Sequence, residues 1–450
     1  MNYAEFLNFV LNNTFNLACW ILFFYVFLYL IYNRLLVAKS LDAFHLIMTF
    51  NFGTTYGVVF SMFQNHAIGF DKFKLIVFYA LFFHIPFYVL SKLKPIRGSF
   101  PNVLDNFVLN MKEEIFSKLM LTIFTIGAIV VIYKSGFLVF TSSNRFEAAR
   151  GIGGFVRYTY AISLLLVAYY TNVLLANYKY KNMSFFYKKT YVKISIIIFI
   201  IIVSSLINGA KSALLWYVIT VVLTVYINRP ETKIPLKYFA FIGIVTLSFA
   251  LVVLNLNMTN NNQNSAVFGA DRSPIFDRFI VRVLANADQS YHSLPYDIID
   301  KIQTDNLWVR IYSNIVSNSL ASKIEGYDVS NFNVGRAILL VLSPHTIEAG
   351  GPVSHYDLFF YKYCGNWGYI LTIFIAIYLV WVLKKLKKIQ KEQSKKNVLN
   401  SFYIVLWIQS VQLVMEPSII FSYIIDLILL MIIFKFASVL VFNLLKVDKK

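Results

Sequence analysis

Thr14–Asn33 reads TFNLACWILFFYVFLYLIYN, an unbroken apolar run without a charged residue. As a helix it rises about 30 Å, the thickness of the hydrocarbon layer of a bilayer. Runs of the same kind recur at 41–63, 73–91, 117–134, 156–176, 193–208, 211–228, 236–257, 357–383, 397–415 and 418–441. Together they predict an all-α polytopic integral membrane protein with about eleven transmembrane helices. Composition points the same way: the chain is 58% hydrophobic and only 14% charged, where a soluble domain needs roughly a quarter of its residues charged. The short alternating segments of a membrane barrel do not occur in it. Only Asn208-Gly209-Ala210-Lys211 separates the sixth and seventh runs, and 334–343 is apolar but too short to cross, which predicts a re-entrant or interfacial segment.

The formal net charge of +19 would suggest nucleic acid on a soluble protein. Here the lysines cluster in alternate connections, so no nucleic-acid partner is expected. One set carries Arg34 and Lys39; Lys92, Lys94 and Arg97; Lys179, Lys181, Lys188 and Lys189; Arg229, Lys233 and Lys237; the run from Lys384 to Lys396; and Lys446, Lys449 and Lys450. The positive-inside rule makes these loops cytoplasmic, with the N-terminus outside and the C-terminus inside. Acidic Glu5 precedes the first apolar run, where a cleavable signal peptide would carry positive charge, so none is expected. Cys19 and Cys364 sit in or beside apolar runs and form no CxxC pattern or disulfide framework.

Three regions follow: an N-terminal transmembrane bundle, 1–257, with a small outer loop at 134–157; a large extracytoplasmic loop, 258–356; and C-terminal transmembrane helices, 357–450. The large loop is mixed polar and aromatic beyond its asparagine-rich start, and reads as short amphipathic helices lying over the membrane.

The outer loops hold arginines where positive charge should be scarce: Arg145, Arg150 and Arg157 in the first, and Arg272, Arg278, Arg282, Arg310 and Arg336 in the second. The guanidinium fork matches phosphate bidentately, so such a cluster suits a diphosphate held at the membrane surface. Loop ion pairs with Glu147, Asp271, Asp277 or Asp288 are the plainer alternative. Lys211, between two apolar runs, is a further anion-binding candidate, or else a lysine snorkelling from a short turn. Glu416-Pro417 reads as a tight outer turn, and Asp426 as a buried acid paired with Lys435 or a bundle neighbour.

The most concentrated chemistry lies in Ser343–Asp357, SPHTIEAGGPVSHYD, just before a helix. His345 or His355 is placed to act as a general base on a sugar hydroxyl or to donate to phosphate; His355 could instead cap the following helix. The spacing fits no zinc pattern, so no metal is expected. His45, His66, His84 and His292 read as structural. A Walker A motif, a ladder of buried acids and a serine or cysteine nucleophile motif are all missing from the sequence.

Three stretches resemble a known family. Asn208-Gly209-Ala210-Lys211-Ser212-Ala213 is similar to a Gly-x-Arg-Ser stretch, with Lys211 in place of Arg. Asn144–Gly154 is similar to an arginine- and glycine-bearing first outer loop. His355-Tyr356-Asp357 through Gly365-Asn366-Trp367-Gly368 is similar to a His–Asn stretch followed by Gly-x-x-Gly, with Tyr356 in place of Asn and the glycines about one position early. These belong to the Wzy-type bacterial polysaccharide polymerases, which join O-antigen or capsule repeat units and are distantly related to O-antigen ligases. The resemblance is spread over most of the chain and rests more on topology than on motifs.

It implies a GT-C-like bundle with a long outer loop in the bacterial inner (cytoplasmic) membrane. The implied reaction moves a glycan from undecaprenyl diphosphate onto a sugar hydroxyl of another lipid-linked repeat unit. No cofactor, metal or nucleotide sugar takes part, because the lipid diphosphate is the leaving group. The implied partners are the lipid-linked oligosaccharide, the bilayer and a chain-length-regulating membrane protein. Arg145, Arg150, Arg157, Lys211, Arg272, Arg278, Arg282 and Arg336 would bind the diphosphate, and His355, His345 or Asp357 would take the hydroxyl proton. A ligase of the same fold, and a flippase or other transporter of lipid-linked oligosaccharide, stay open as alternatives.

Overall fold

The computed structural model describes residues 1–93, 105–108, 113–137, 151–177, 183–208, 213–231, 248, 274–346, 350–392 and 396–447. Among the described residues every regular element is helical. Nine spans among the described residues are long and apolar enough to cross a membrane: Thr14–Tyr32, His45–Gln64, Phe70–Lys92, Ile115–Ser135, Gly153–Ala176, Thr190–Asn208, Tyr356–Glu392, Asn397–Val414 and Pro417–Leu440. The chain is therefore an all-α polytopic membrane protein. These nine match nine of the eleven expected runs. The seventh run forms a shorter apolar helix, Ala213–Asn228, of 16 residues; the eighth, 236–257, lies outside the described residues except for 248.

Contacts divide the chain differently from the three consecutive regions expected. One compact unit comprises Met1–Lys92, Pro235–Val380 and Val411–Ile420; the other comprises Leu93–Ile234, Trp381–Ser410 and Phe421–Lys450. The long loop thus belongs with the first helices, and residues 93–234 with the last ones.

In the first unit, Thr14–Tyr32 and Phe52–Gln64 pack backbone to backbone. Gly53 and Gly57 make this possible: a Cβ on Gly57 would come within 2.7 Å of the Ile21 Cα, and one on Gly53 within 2.6 Å of the Tyr25 ring. Glycines four apart on one face are a common device for close helix pairs in lipid, where dispersion contacts replace the hydrophobic effect. The long loop forms the short helices Pro274–Leu284, Asp288–Ser293, Ile298–Lys301, Leu307–Val316, Asn318–Glu325 and Val334–Leu342, of which the first two pack against Phe52–Gln64.

The expectation that the whole loop lies over the membrane needs correction. Thr55, near the middle of His45–Gln64, donates its hydroxyl to the Asn286 carbonyl at 2.9 Å. The turn Ala285–Ala287 and the helix after it are therefore wedged against the bundle, with Ala287, Gln289, Ser290 and Ser293 buried. Val334–Leu342 is the expected short apolar helix.

The run expected at 357–383 is also not one helix. Tyr356–Cys364 ends at Gly365, whose φ of 52° and ψ of −129° suit only glycine. A 3-10 turn, Gly365–Trp367, leads into Gly368–Glu392. A Cβ on Gly368 would press on the Phe360 carbonyl at 2.8 Å. The two glycines of the Gly-x-x-Gly stretch thus serve one turn, the first by backbone conformation and the second by close approach.

The second unit is held by polar side-chain ties, some of them between its apolar helices. Ser163 and Tyr217 share a 2.7 Å hydrogen bond, and Asn172 donates to Ser401 at 2.8 Å while accepting from Asn228 at 2.6 Å. Lys385 pairs with Asp105, which also accepts from Tyr403 at 2.7 Å. In lipid such groups must find partners inside the protein, so each tie fixes a helix register.

Candidate functional site

The chemistry-rich stretch before Tyr356 is pinned in the first unit, residue by residue. Gly351-Pro352 lies so close to the first turn of Val334–Leu342 that a Cβ on Gly335 would strike the Pro352 carbonyl. The next three residues are held one at a time. Val353 donates its backbone N–H to the Asp288 carboxylate, which also accepts from Gln289 N at 2.7 Å. The Ser354 hydroxyl accepts from Gly335 N at 3.1 Å and donates to Asn333 Oδ1 at 3.3 Å. His355 donates its backbone N–H to Gln289 Oε1 at 2.6 Å. Two side chains at the start of Asp288–Ser293 thus hold 353 and 355, alternate residues of an extended segment.

His355 precedes Tyr356–Cys364 in the capping position, but its side chain caps nothing. In the first turn, Asp357 Oδ1 accepts from Leu358 N at 2.7 Å instead. The imidazole packs against Phe52, ring centres 4.8 Å apart, and His355 is 1% exposed. Both ring nitrogens are buried without a protein partner. So are Asp357 Oδ2, Gln289 Nε2, and the hydroxyls of Ser290 and Ser293. Buried polar atoms are nearly always paired, so six such atoms on two adjoining elements mark a place built for polar contact. Burial pushes the His355 imidazole down to about 3, so it is neutral at physiological pH. Burial pushes the Asp288 carboxyl the other way, up to about 7; the two N–H bonds and Arg282 oppose this, and Glu416 adds to it.

A string of polar side chains runs up to the same place. Tyr32 hydrogen-bonds His84 Nδ1, His84 Nε2 meets Tyr56 Oη at 3.1 Å, Tyr56 meets Tyr356 Oη at 3.3 Å, and Tyr356 donates to the Tyr79 carbonyl at 3.4 Å. One assignment satisfies all of them: each hydroxyl donates onward, and His84 carries its proton on Nε2. His84 is structural, as expected, and this string fixes the ring wall around Tyr356. His292 also has a structural bond, from Nδ1 to the Met1 carbonyl at 2.9 Å.

The other candidates are spread out. His345 is exposed on the loop after Val334–Leu342. Arg336 donates to the Thr346 carbonyl at 3.0 Å and so ties that loop down. Arg282 is exposed, in the last turn of Pro274–Leu284. Arg310 is buried, paired with Asp305 and donating to the Val329 carbonyl at 2.6 Å. Arg157 belongs to the second unit and is not in a loop: it sits in the first turns of Gly153–Asn177, paired with Asp426 and donating to Ser422 at 3.0 Å. Of the two partners expected for Asp426, the bundle neighbour is the one found, while Lys435 lies 4.0 Å from the centre of the Phe107 ring. Arg145, Arg150, Lys211 and Arg272, and the side chain of Arg278, lie outside the described residues.

Sequence reasoning missed Gln289 and did not give Asp288 its role. Their one signal is the polar run Asp288-Gln289-Ser290 between apolar neighbours. Compared with protein-family models, curated proteins and solved structures, the chain gives no match.

Proposed function

We propose that the chain polymerises oligosaccharide repeat units carried on undecaprenyl diphosphate, as a metal-independent glycosyltransferase of the outer face of a bacterial cytoplasmic membrane. The observation that carries this reading is the buried, neutral His355, with both ring nitrogens free of protein partners, pinned where the long loop meets the membrane helices. In the reaction, an acceptor sugar hydroxyl attacks the anomeric carbon of the lipid-linked glycan. The bond from that carbon to the diphosphate oxygen breaks, and undecaprenyl diphosphate leaves with the electron pair. The hydroxyl proton goes to the His355 imidazole, with Asp357 Oδ2 and Gln289 Nε2 at hand to orient the hydroxyl. Arg282, exposed on the same loop, and the arginines at 272 and 278 supply the donors for the departing diphosphate.

His355 is closed off in this conformation, so the acceptor reaches it only when the 350–354 segment parts from its neighbours. The test is reconstitution of the full chain in liposomes with lipid-diphosphate-linked repeat units. Ladders of longer lipid-linked glycan are expected, and they should vanish in His355→Gln with the protein still folded. Transfer of glycan to a non-repeat acceptor would assign a ligase instead. Movement of the lipid across the bilayer without a new glycosidic bond would assign a transporter.

A further inference from the structure

The helix Leu307–Val316 in the first unit has its polarity turned inside out. Its buried residues are Arg310 and Ser313, while Trp308 is 74% exposed and Val316 is also exposed. The guanidinium pairs internally with Asp305 and donates to the Val329 carbonyl. The next helix, Asn318–Glu325, buries small Ala321 and exposes Leu320 and Ile324, one turn apart on a single face. Tyr312 hydrogen-bonds Glu325 and so joins the two helices into a hairpin. A helix facing water puts its apolar side inward; this pair does the opposite.

The hairpin also has a fixed height within its unit. Tyr363, two residues before the Gly365 turn, donates to Asp305 Oδ1 at 2.9 Å. Tyr361 donates to Asp300 at 2.8 Å, and Asp300 pairs with Lys72 in the first turn of Phe70–Lys92. The strand of chain leading into the hairpin is therefore tied to the end of a membrane-length helix, where apolar side chains give way to charge. Trp367, also 74% exposed, lies in the turn just after Tyr363. Tryptophan favours this boundary, because its ring is apolar and its N–H is satisfied by headgroups.

We propose that the hairpin 307–325 is a lipid-facing anchor: Trp308, Val316, Leu320 and Ile324 lie in the boundary between headgroups and hydrocarbon of the leaflet on that side, with Lys323 reaching back to the headgroups. The occupant of this face is phospholipid, continuous with the lipid around Phe70–Lys92. The assignment holds whatever reaction the chain performs. It does, however, set the loop at the depth where a lipid-borne headgroup travels.

The full chain and its Trp308→Phe variant, each reconstituted in phosphatidylcholine nanodiscs, give the emission of Trp308 by difference. Expected is strong loss of that emission when the lipid carries bromine on its acyl chains near the headgroup, and little loss on adding aqueous iodide. Quenching by iodide with none by bromolipid would overturn the proposal, because the face would then lie in water. Protection from both would overturn it as well, by placing a second copy or another protein there.

Discussion

The pair Arg157–Asp426 decides whether Arg157 holds the fold or binds substrate. Asp426 has a side chain 1% exposed and Arg157 one 15% exposed, and the contact has two points, with Nη2 reaching Asp426 Oδ1 at 3.3 Å. Arg157→Leu leaves a buried carboxylate that must take up a proton. At neutral pH, roughly three pH units above an ordinary carboxylate, that costs about 4 kcal/mol at ~1.36 kcal/mol per unit. Asp426→Leu leaves a cation in the first turns of its helix, able to stretch to the helix end, so its cost is nearer about 1–2 kcal/mol. The double variant should return to within about 1 kcal/mol of the parent, so that the two losses fail to add by about 4–6 kcal/mol. Thermal melts in detergent followed by size-exclusion chromatography give the stabilities, and the glycan ladder gives the activity. A structural pair predicts that the double variant is both folded and active. A double variant that is stable and makes no polymer would refute this reasoning and return Arg157 to the diphosphate.

Gln289→Leu removes the nearer acceptor of the buried His355 N–H and leaves it the 3.1 Å bond to the Val353 carbonyl, which costs about 1 kcal/mol; elongation should fall by far more than the melting temperature, and an unchanged rate would remove Gln289 as a positioning residue. Asp288 holds a proton in the folded chain up to about pH 7 and releases it near 4 when unfolded, so its contribution to stability is greatest in acid, falls as pH rises through that window by up to ~1.4 kcal/mol per unit, and is flat above it. Asp288→Asn should flatten this slope in melts at a series of pH values, and a slope unchanged in the variant would sink the assignment. Gly365→Ala forces a side chain into a backbone region reserved for glycine, costing about 1–3 kcal/mol, visible as a lower melting temperature. Arg282→Ala should leave melting unchanged and weaken elongation at limiting lipid substrate; full activity there would take Arg282 out of the diphosphate site.

Hydropathy made the membrane helices legible because the bilayer imposes one length on every crossing, and Thr14–Tyr32 satisfies it with local residues alone. The break at Gly365 was invisible to the same argument, because apolar side chains continue on both sides of a turn that only backbone angles record. Gly365-Asn366-Trp367-Gly368 was readable as a motif but not as a break in the helix. Partners were harder still. Arg157 and Asp426 are far apart in sequence, and no periodicity links them. The stretch 343–357 was legible as chemistry, since two histidines, two acids and two glycines rarely gather before a helix by chance. What holds it was not, because Asp288 and Gln289 act through backbone N–H groups that every residue carries.

The burial of His355 constrains any account in which it takes a proton. An imidazole held near 3 is a poor base in water, and an efficient one should titrate near the working pH. The residues shown against it do not reverse this: Phe52 is apolar and Gln289 is neutral. The missing negative charge would have to arrive with the substrate. A diphosphate beside the ring stabilises the imidazolium by direct attraction, strongest in a site from which water is excluded. Donor binding would then switch the base on, and an enzyme without its lipid donor would leave acceptor hydroxyls untouched. On the proposed reaction, burial of the base would guard against premature proton transfer and would set one order of events, donor first and then acceptor.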